Sequence, residues 1–257
     1  MMDLSIYQKD VFKKYKSNSQ IARVLTEDWF NNQMYCPCCL NKSVKDFPNN
    51  KKGSDFFCEK CNNEFQLKAS KKEFHRKVVD GEYHTMMNII INNKSPNFFL
   101  MNYDVNDWNV RNLILIPKFF VNTSMIEKRK PLSDNAKRKG WTGCNFLLNR
   151  LPDQGKINVI KNEKVIEKSK INKIWKKMFF MNSKKPTFNG WTSDVLRCIE
   201  DLDNEFELRE VYSHEKYLRE LHPNNNNVQA KIRQQLQILR DNKVLNFNGN
   251  GKYSKLI

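Results

Sequence analysis

Two cysteine pairs constrain this chain more than any other feature. Cys36-x2-Cys39 is followed, after eighteen intervening residues, by Cys58-x2-Cys61. Each pair forms a tight turn that brings two thiolates to one edge of a tetrahedron, so the two turns together read as a four-Cys zinc site. Four thiolates leave no position for water, and the zinc expected here is structural. Of the other cysteines, Cys38 sits inside the first turn, where Cys36 and Cys39 have the correct spacing, and Cys144 and Cys198 lie far away. An odd total of seven, with no secretory signal in "MMDLSIYQKDVFKK", argues against a disulfide framework.

Closing the knuckle makes 54–57 and 64–68 antiparallel neighbours. The run "EFQLK" alternates polar and apolar, so on a strand Glu64, Gln66 and Lys68 share one face and Phe65 and Leu67 the other. Asp55 then falls beside the Gln66/Lys68 face. An acid with a second oxygen ligand suits Mg²⁺, a hard cation, and a lysine beside it can orient water or offset developing negative charge.

The remaining chain reads as mixed. A helix is expected near Ser19, with "SNSQ" as its cap and Ile21, Val24, Leu25 and Trp29 on one face. "EFQLK", "NFFLMNYD", "NLILIP" and "KINVIK" read as strands, and "EYHTMMNIII" as a helix. The long polar connection over 122–145 holds two basic triplets, Lys128-Arg129-Lys130 and Lys137-Arg138-Lys139. "MNSKKPTFNGW" over 181–191 has linker composition, which sets expected domains at 1–183 and 184–257. In the second, Thr192 is the expected cap of a first helix. Two further helical stretches and a hairpin around Gly249-Asn250-Gly251 complete the order of a winged helix.

The net charge of +17 calls for an acidic partner. Residues 1–183 carry 33 Lys+Arg against 18 Asp+Glu, and 224–257 carry 6 against 1. No run is long enough for a membrane span, and the cytoplasm is the expected location.

The spacing Asp55-x10-Gln66-x-Lys68 resembles the PD-(D/E)xK nuclease signature. Together with the nested knuckle, "TEDWFNNQMYCPCC", "YHTMMN", "SPNFFL", "KRKPLSDNAKRKGWTGCN" and "KIRQQLQILRDN", it is similar to the DpnI-like methyl-directed type II restriction endonucleases over nearly the whole chain. The resemblance implies an α+β architecture: a PD-(D/E)xK nuclease domain with an inserted zinc knuckle, then a winged-helix domain. It also implies a restriction-modification enzyme, acting as a monomer, that cuts double-stranded DNA at GATC bearing N6-methyladenine and leaves 5′-phosphate ends. Carried over, Asp55, Gln66 and the Leu67 carbonyl hold Mg²⁺ and Lys68 positions water, while Cys36, Cys39, Cys58 and Cys61 hold zinc. Gln66 departs from the pattern, which has an acid there. A Gln carbonyl can ligate Mg²⁺ but brings no charge; Glu64, on the same face, is a candidate to compensate.

Val228, Ile232, Leu236 and Leu239 form the core stripe of the third tail helix, leaving a surface for reading DNA. Its first turns and the residues before them supply Asn226, Asn227, Ala230, Lys231, Arg233 and Gln234, and the wing supplies Lys252 and Lys255. Burying one methyl group contributes only about 0.8 kcal/mol, so methyl dependence needs an aromatic wall or more than one reader. Trp141, among Lys137, Arg138 and Lys139, is the first choice for that wall; Trp191 reads more readily as core. A non-catalytic zinc and winged-helix regulator is the competing reading, and it leaves Asp55 and Lys68 beside the knuckle unexplained.

Overall fold

The computed structural model describes residues 2–6, 10–48, 51, 53–182 and 186–256. The elements run α1 (Val11–Lys14), α2 (Asn18–Gln33), β1 (Lys45–Asp46), β2 (Phe56–Phe57), β3 (Glu64–Ser70), β4 (Lys77–Glu82), α3 (Tyr83–Ile91), β5 (Asn97–Tyr103), β6 (Val110–Ile116), β7 (Ile126–Lys128), β8 (Gly143–Leu147), β9 (Ile157–Lys161), β10 (Lys164–Val165) and α4 (Lys168–Lys177). The tail adds α5 (Pro186–Glu200), β11 (Glu205–Glu207), α6 (Leu208–Tyr212), α7 (Glu215–Leu221), α8 (Val228–Asp241), β12 (Leu245–Gly249) and β13 (Lys252–Lys255). Contacts divide the chain into two units. The first holds 1–77, 94–118 and 154–179; the second holds 78–93, 119–153 and 180–257.

Unit 1 is built on a seven-stranded sheet in the order β1-β2-β3-β5-β6-β9-β10. β3 and β5 are parallel, from Phe65 opposite Asn97 to Ser70 opposite Asn102; the other pairings are antiparallel. All of β5 is buried, as its near-continuous apolar run requires of a central strand. The expected first helix is α2. It buries Ile21, Leu25, Trp29 and Phe30, and Phe30 packs against Phe56 and Phe99 with ring centroids 4.5 and 4.9 Å apart. Each such ring removed from water contributes about 1.5–3 kcal/mol. Ser17 stands at the cap position of α2 but makes no capping hydrogen bond.

Unit 2 contains a three-stranded sheet, β4-β8-β7, and the winged helix, whose own sheet is ordered β11-β13-β12. The expected boundary at 183/184 lies outside the described residues. Two details of 181–191 and its neighbour differ from expectation. Pro186 to Trp191 belong to α5, because proline suits the first turn of a helix, where its missing N–H costs nothing. Thr192 is therefore inside α5, not its cap; its hydroxyl donates to the Gln235 carbonyl of α8 at 2.7 Å, and both residues are fully buried. The wing turns through Gly249, Asn250 and Gly251, all with positive φ (87°, 49° and 74°), a conformation glycine adopts without strain. Among the described residues no helix is long and apolar enough to cross a membrane.

Candidate metal and nucleic-acid sites

The knuckle is two copies of one turn. Leu40 N–H donates to the Cys36 carbonyl and Cys36 N–H to the Asn41 carbonyl; Asn62 N–H donates to the Cys58 carbonyl and Cys58 N–H to the Asn63 carbonyl. Leu40 and Asn62 hold matching positive φ values of 61° and 56°. The four sulfurs lie within 4.8 Å of one another, with Cys36 Sγ 3.5 Å from Cys61 Sγ and Cys39 Sγ 3.6 Å from Cys58 Sγ. Four ligands at about 2.3 Å from one tetrahedral zinc stand about 3.8 Å apart, so the donor set fits the ion. All four are free thiols. Burial pushes the Cys39 thiol up to about 12. From α4, the Asn172 side chain donates to the Pro37 and Cys38 carbonyls at 2.7 and 2.9 Å and ties the first turn to that helix.

The same hairpin carries Asp55, Gln66 and Lys68. Asp55 N–H donates to the Phe65 carbonyl, continuing the β2–β3 register, and Asp55 Oδ2 accepts from Leu67 N–H at 2.8 Å. The knuckle thus sets the acid against the β3 backbone beside Gln66. Gln66 Oε1 is buried and has no hydrogen-bond partner. An orphaned buried carbonyl oxygen is a fitting ligand for a hard cation such as Mg²⁺. Glu64 is engaged elsewhere: Lys51 Nζ and Ser54 Oγ hold its two carboxylate oxygens at 2.5 and 2.6 Å. Burial raises its pKa, but these two partners outweigh that and hold it below the ordinary value.

Sequence reasoning missed the wall opposite. A cleft of about 490 Å³ is lined by Asp55, Arg23, Glu27 and Asp28 of α2, Asp46 of β1, and Ser54. Asp28 Oδ2 is buried without a hydrogen-bond partner. Arg23 is bonded to Glu27 at 2.9 Å; that bond first, and Asp55 more weakly, hold its guanidinium pKa above the ordinary value. The helical period marks Asp28 only as polar, and nothing local signals that α2 meets this hairpin.

In unit 2 the basic connection is an ordered loop joining β7 to β8. Leu132 N–H donates to the Trp141 carbonyl, Gly140 N–H to the Leu132 carbonyl, and Trp141 N–H to the Arg138 carbonyl. Lys137, Arg138 and Lys139 are exposed; Lys139 pairs with Asp134 at 2.8 Å, and the Arg138 guanidinium lies 4.9 Å from the Trp141 ring centroid. Trp141 is half-buried beside a second cleft, which it shares with Glu82, His84 and Thr142. Trp191 is buried and stacks on His222 at 3.9 Å, the packing role expected of it.

The core stripe of α8 is buried as expected. Asn226, Asn227, Ala230, Arg233, Gln234 and Lys252 are exposed, and Lys231 is half-buried. Several are held in place: Lys231 Nζ donates to Gln234 Oε1 at 2.7 Å, and Arg233 Nη1 to the Tyr212 hydroxyl at 2.6 Å.

A sulfur knuckle nested in the hairpin of a PD-(D/E)xK sheet, followed along the chain by a winged helix, defines a zinc-knuckle nuclease fold with a helix-turn-helix DNA-binding domain. Residues 2–184 match the DpnI model, described as the Dam-replacing family, and 187–255 match the DpnI_C model, the Dam-replacing HTH domain. The chain belongs to this family, and membership implies methyl-dependent, restriction-type nuclease function with DNA as the partner.

Proposed function

We propose that the protein is a methyl-directed type II restriction endonuclease that hydrolyses double-stranded DNA at GATC containing N6-methyladenine, leaving 5′-phosphate ends. The observation that carries the reading is the hairpin closed by the knuckle, with the Asp55 carboxylate on the Leu67 N–H and the Gln66 carbonyl oxygen buried without a partner. Asp55, Gln66 and the Leu67 carbonyl would hold Mg²⁺, which when bound supplies charge stabilisation to the phosphate under attack. Asp55 is fixed by the β3 backbone, so its geometry precedes the metal. Lys68, two residues along the same face as Gln66, orients the attacking water and offsets negative charge on the phosphate oxygens. Domains at 1–183 and 184–257, a cytoplasmic location and a monomeric enzyme belong to the same reading.

Recognition follows from what methylation removes. Adenine offers N6 hydrogens and N7 to the major groove. In a methylated pair the remaining N6 hydrogen is used by thymine, so a Gln or Asn can no longer accept from N6. It can only donate to N7, and the methyl group needs an apolar surface. Trp141 supplies that surface on one element and Ala230, among Asn226, Asn227, Lys231, Arg233 and Gln234, on the other. Lys137, Arg138, Lys139 and Lys252 meet phosphates.

The test is plasmid DNA from adenine-methylating and non-methylating hosts, incubated with Mg²⁺ or with EDTA. The expected result is cutting of methylated DNA with Mg²⁺ alone, abolished by Lys68→Ala. Binding with no nicking under any condition would leave the non-catalytic regulator standing instead.

A further inference from the structure

The β7–β8 loop closes on a glycine whose φ lies outside the left-handed region, so its backbone conformation is open to any residue. What Gly143 lacks is room. A Cβ built on it would lie 2.9 Å from both Cη2 and Cζ3 of Trp141 and 3.4 Å from Arg129 Nη1. The tip of the indole therefore rests directly on the β8 backbone. The seat is rigid: the Gly143 carbonyl accepts from Arg129 N–H at 3.0 Å, and Cys144, the next residue, is fully buried with its thiol donating to the Gly81 carbonyl. The Trp141 backbone is pinned on both sides by the loop hydrogen bonds, and the Arg138 guanidinium lies over the ring. The indole has its position fixed before any DNA arrives.

We propose that Gly143 is a specificity-determining residue: its missing side chain is the seat of the Trp141 indole, and that seat presets the aromatic surface that meets the N6-methyl group. The inference rests on the reading of Trp141 as a methyl contact. A methyl group at position 143 must push the ring away by about 0.5 Å or more to reach ordinary contact distance, and a gap of that size forfeits about a quarter to a half of a dispersion contact. The ring can give way without unfolding the loop, because its backbone bonds do not involve the indole. The phosphate-facing lysines are untouched.

The experiment uses the full chain labelled with 5-fluorotryptophan, in wild-type, Gly143→Ala, Trp141→Phe and double-variant forms. Binding is measured with Ca²⁺ in place of Mg²⁺, on duplexes with one GATC methylated on both strands or on neither. In G143A the ¹⁹F resonance of Trp141, assigned by its loss in W141F, moves while those of the other tryptophans stay. Preference for the methylated duplex falls roughly tenfold, with affinity for unmethylated DNA unchanged. The double variant is no worse than W141F alone, because the two changes act through one ring. An unmoved Trp141 resonance, an unchanged methyl preference in G143A, or losses that multiply in the double variant would each overturn the proposal. A wild-type protein without methyl preference would instead overturn the functional reading beneath it.

Discussion

Removing the imidazole of His222 should loosen the winged-helix end of unit 2 and leave the seven-stranded sheet unchanged. The Asp194 side chain is 1% exposed, and its Oδ2 lies 2.8 Å from His222 Nε2; its Oδ1 has the Ser124 hydroxyl at 3.4 Å. Burial holds the Asp194 carboxyl above its ordinary value, against the opposing pull of His222, Ser124 and Arg150. Breaking a buried pair by removing one partner costs about 3–5 kcal/mol. The Trp191 indole also loses its stacked neighbour, at about 1 kcal/mol. A total of about 4–6 kcal/mol is a large part of the 5–15 kcal/mol that typically holds a domain folded. At a urea slope of about 2 kcal/mol per M, the midpoint falls by roughly 2–3 M. Native-state hydrogen exchange through a urea series reads α5 and α8 separately from β3, β5 and β6. The pH dependence has a definite sign. A carboxyl whose folded pKa is raised contributes its full share of stability below the ordinary value of 3.8 and loses it as pH rises to the folded value. His222→Ala removes a partner that lowers the folded pKa, so the variant should go on losing stability to a higher pH than the wild type. A loss under about 1 kcal/mol, or equal loosening of the central sheet, would refute the argument.

Two further outcomes test the hairpin. Cys58→Ser should release zinc, measured as metal per chain, and should remove exchange protection across 36–48 and 53–68, because binding worth about 10–16 kcal/mol is what folds such a knuckle; full protection without metal would contradict the assignment. Gln66→Glu places a charge where a buried oxygen has no partner, so Mn²⁺ binding followed by electron paramagnetic resonance should tighten by about tenfold, or 1.4 kcal/mol. No change in affinity would remove Gln66 from the metal site.

Where one local rule dominates, the sequence was legible. The Cys spacing located the knuckle, and the alternation of "EFQLK" and the apolar run "NFFLMN" located β3 and β5. The heptad-like stripe of α8 located its buried face, apart from Gln235, whose burial depends on Thr192 across the helix pair. Folding over distance was not legible. Asp28 and Asp46 reach the Asp55 cleft because α2 and β1 close over the hairpin, and no local pattern encodes that. Residues 78–93 and 119–153 fall in the same unit as the tail, although the chain leaves the central sheet twice to put them there. The start of α5 was misplaced because a proline and a glycine in a polar run look like a linker, whereas the same proline opens a helix once later residues bury its far face.

Gln66 is where the two kinds of information meet. Against the family pattern it is a lost charge. A glutamine retained only for shape would be expected to give its carbonyl to a neighbouring N–H, since a buried unpaired oxygen costs about 1–3 kcal/mol. This one is buried and unpaired, while the nearby Glu64 is neutralised by Lys51 and Ser54 instead of taking its place. On the proposed reading that oxygen is offered to the cation, and the charge for binding would come from Asp55 and the acids that line its cleft.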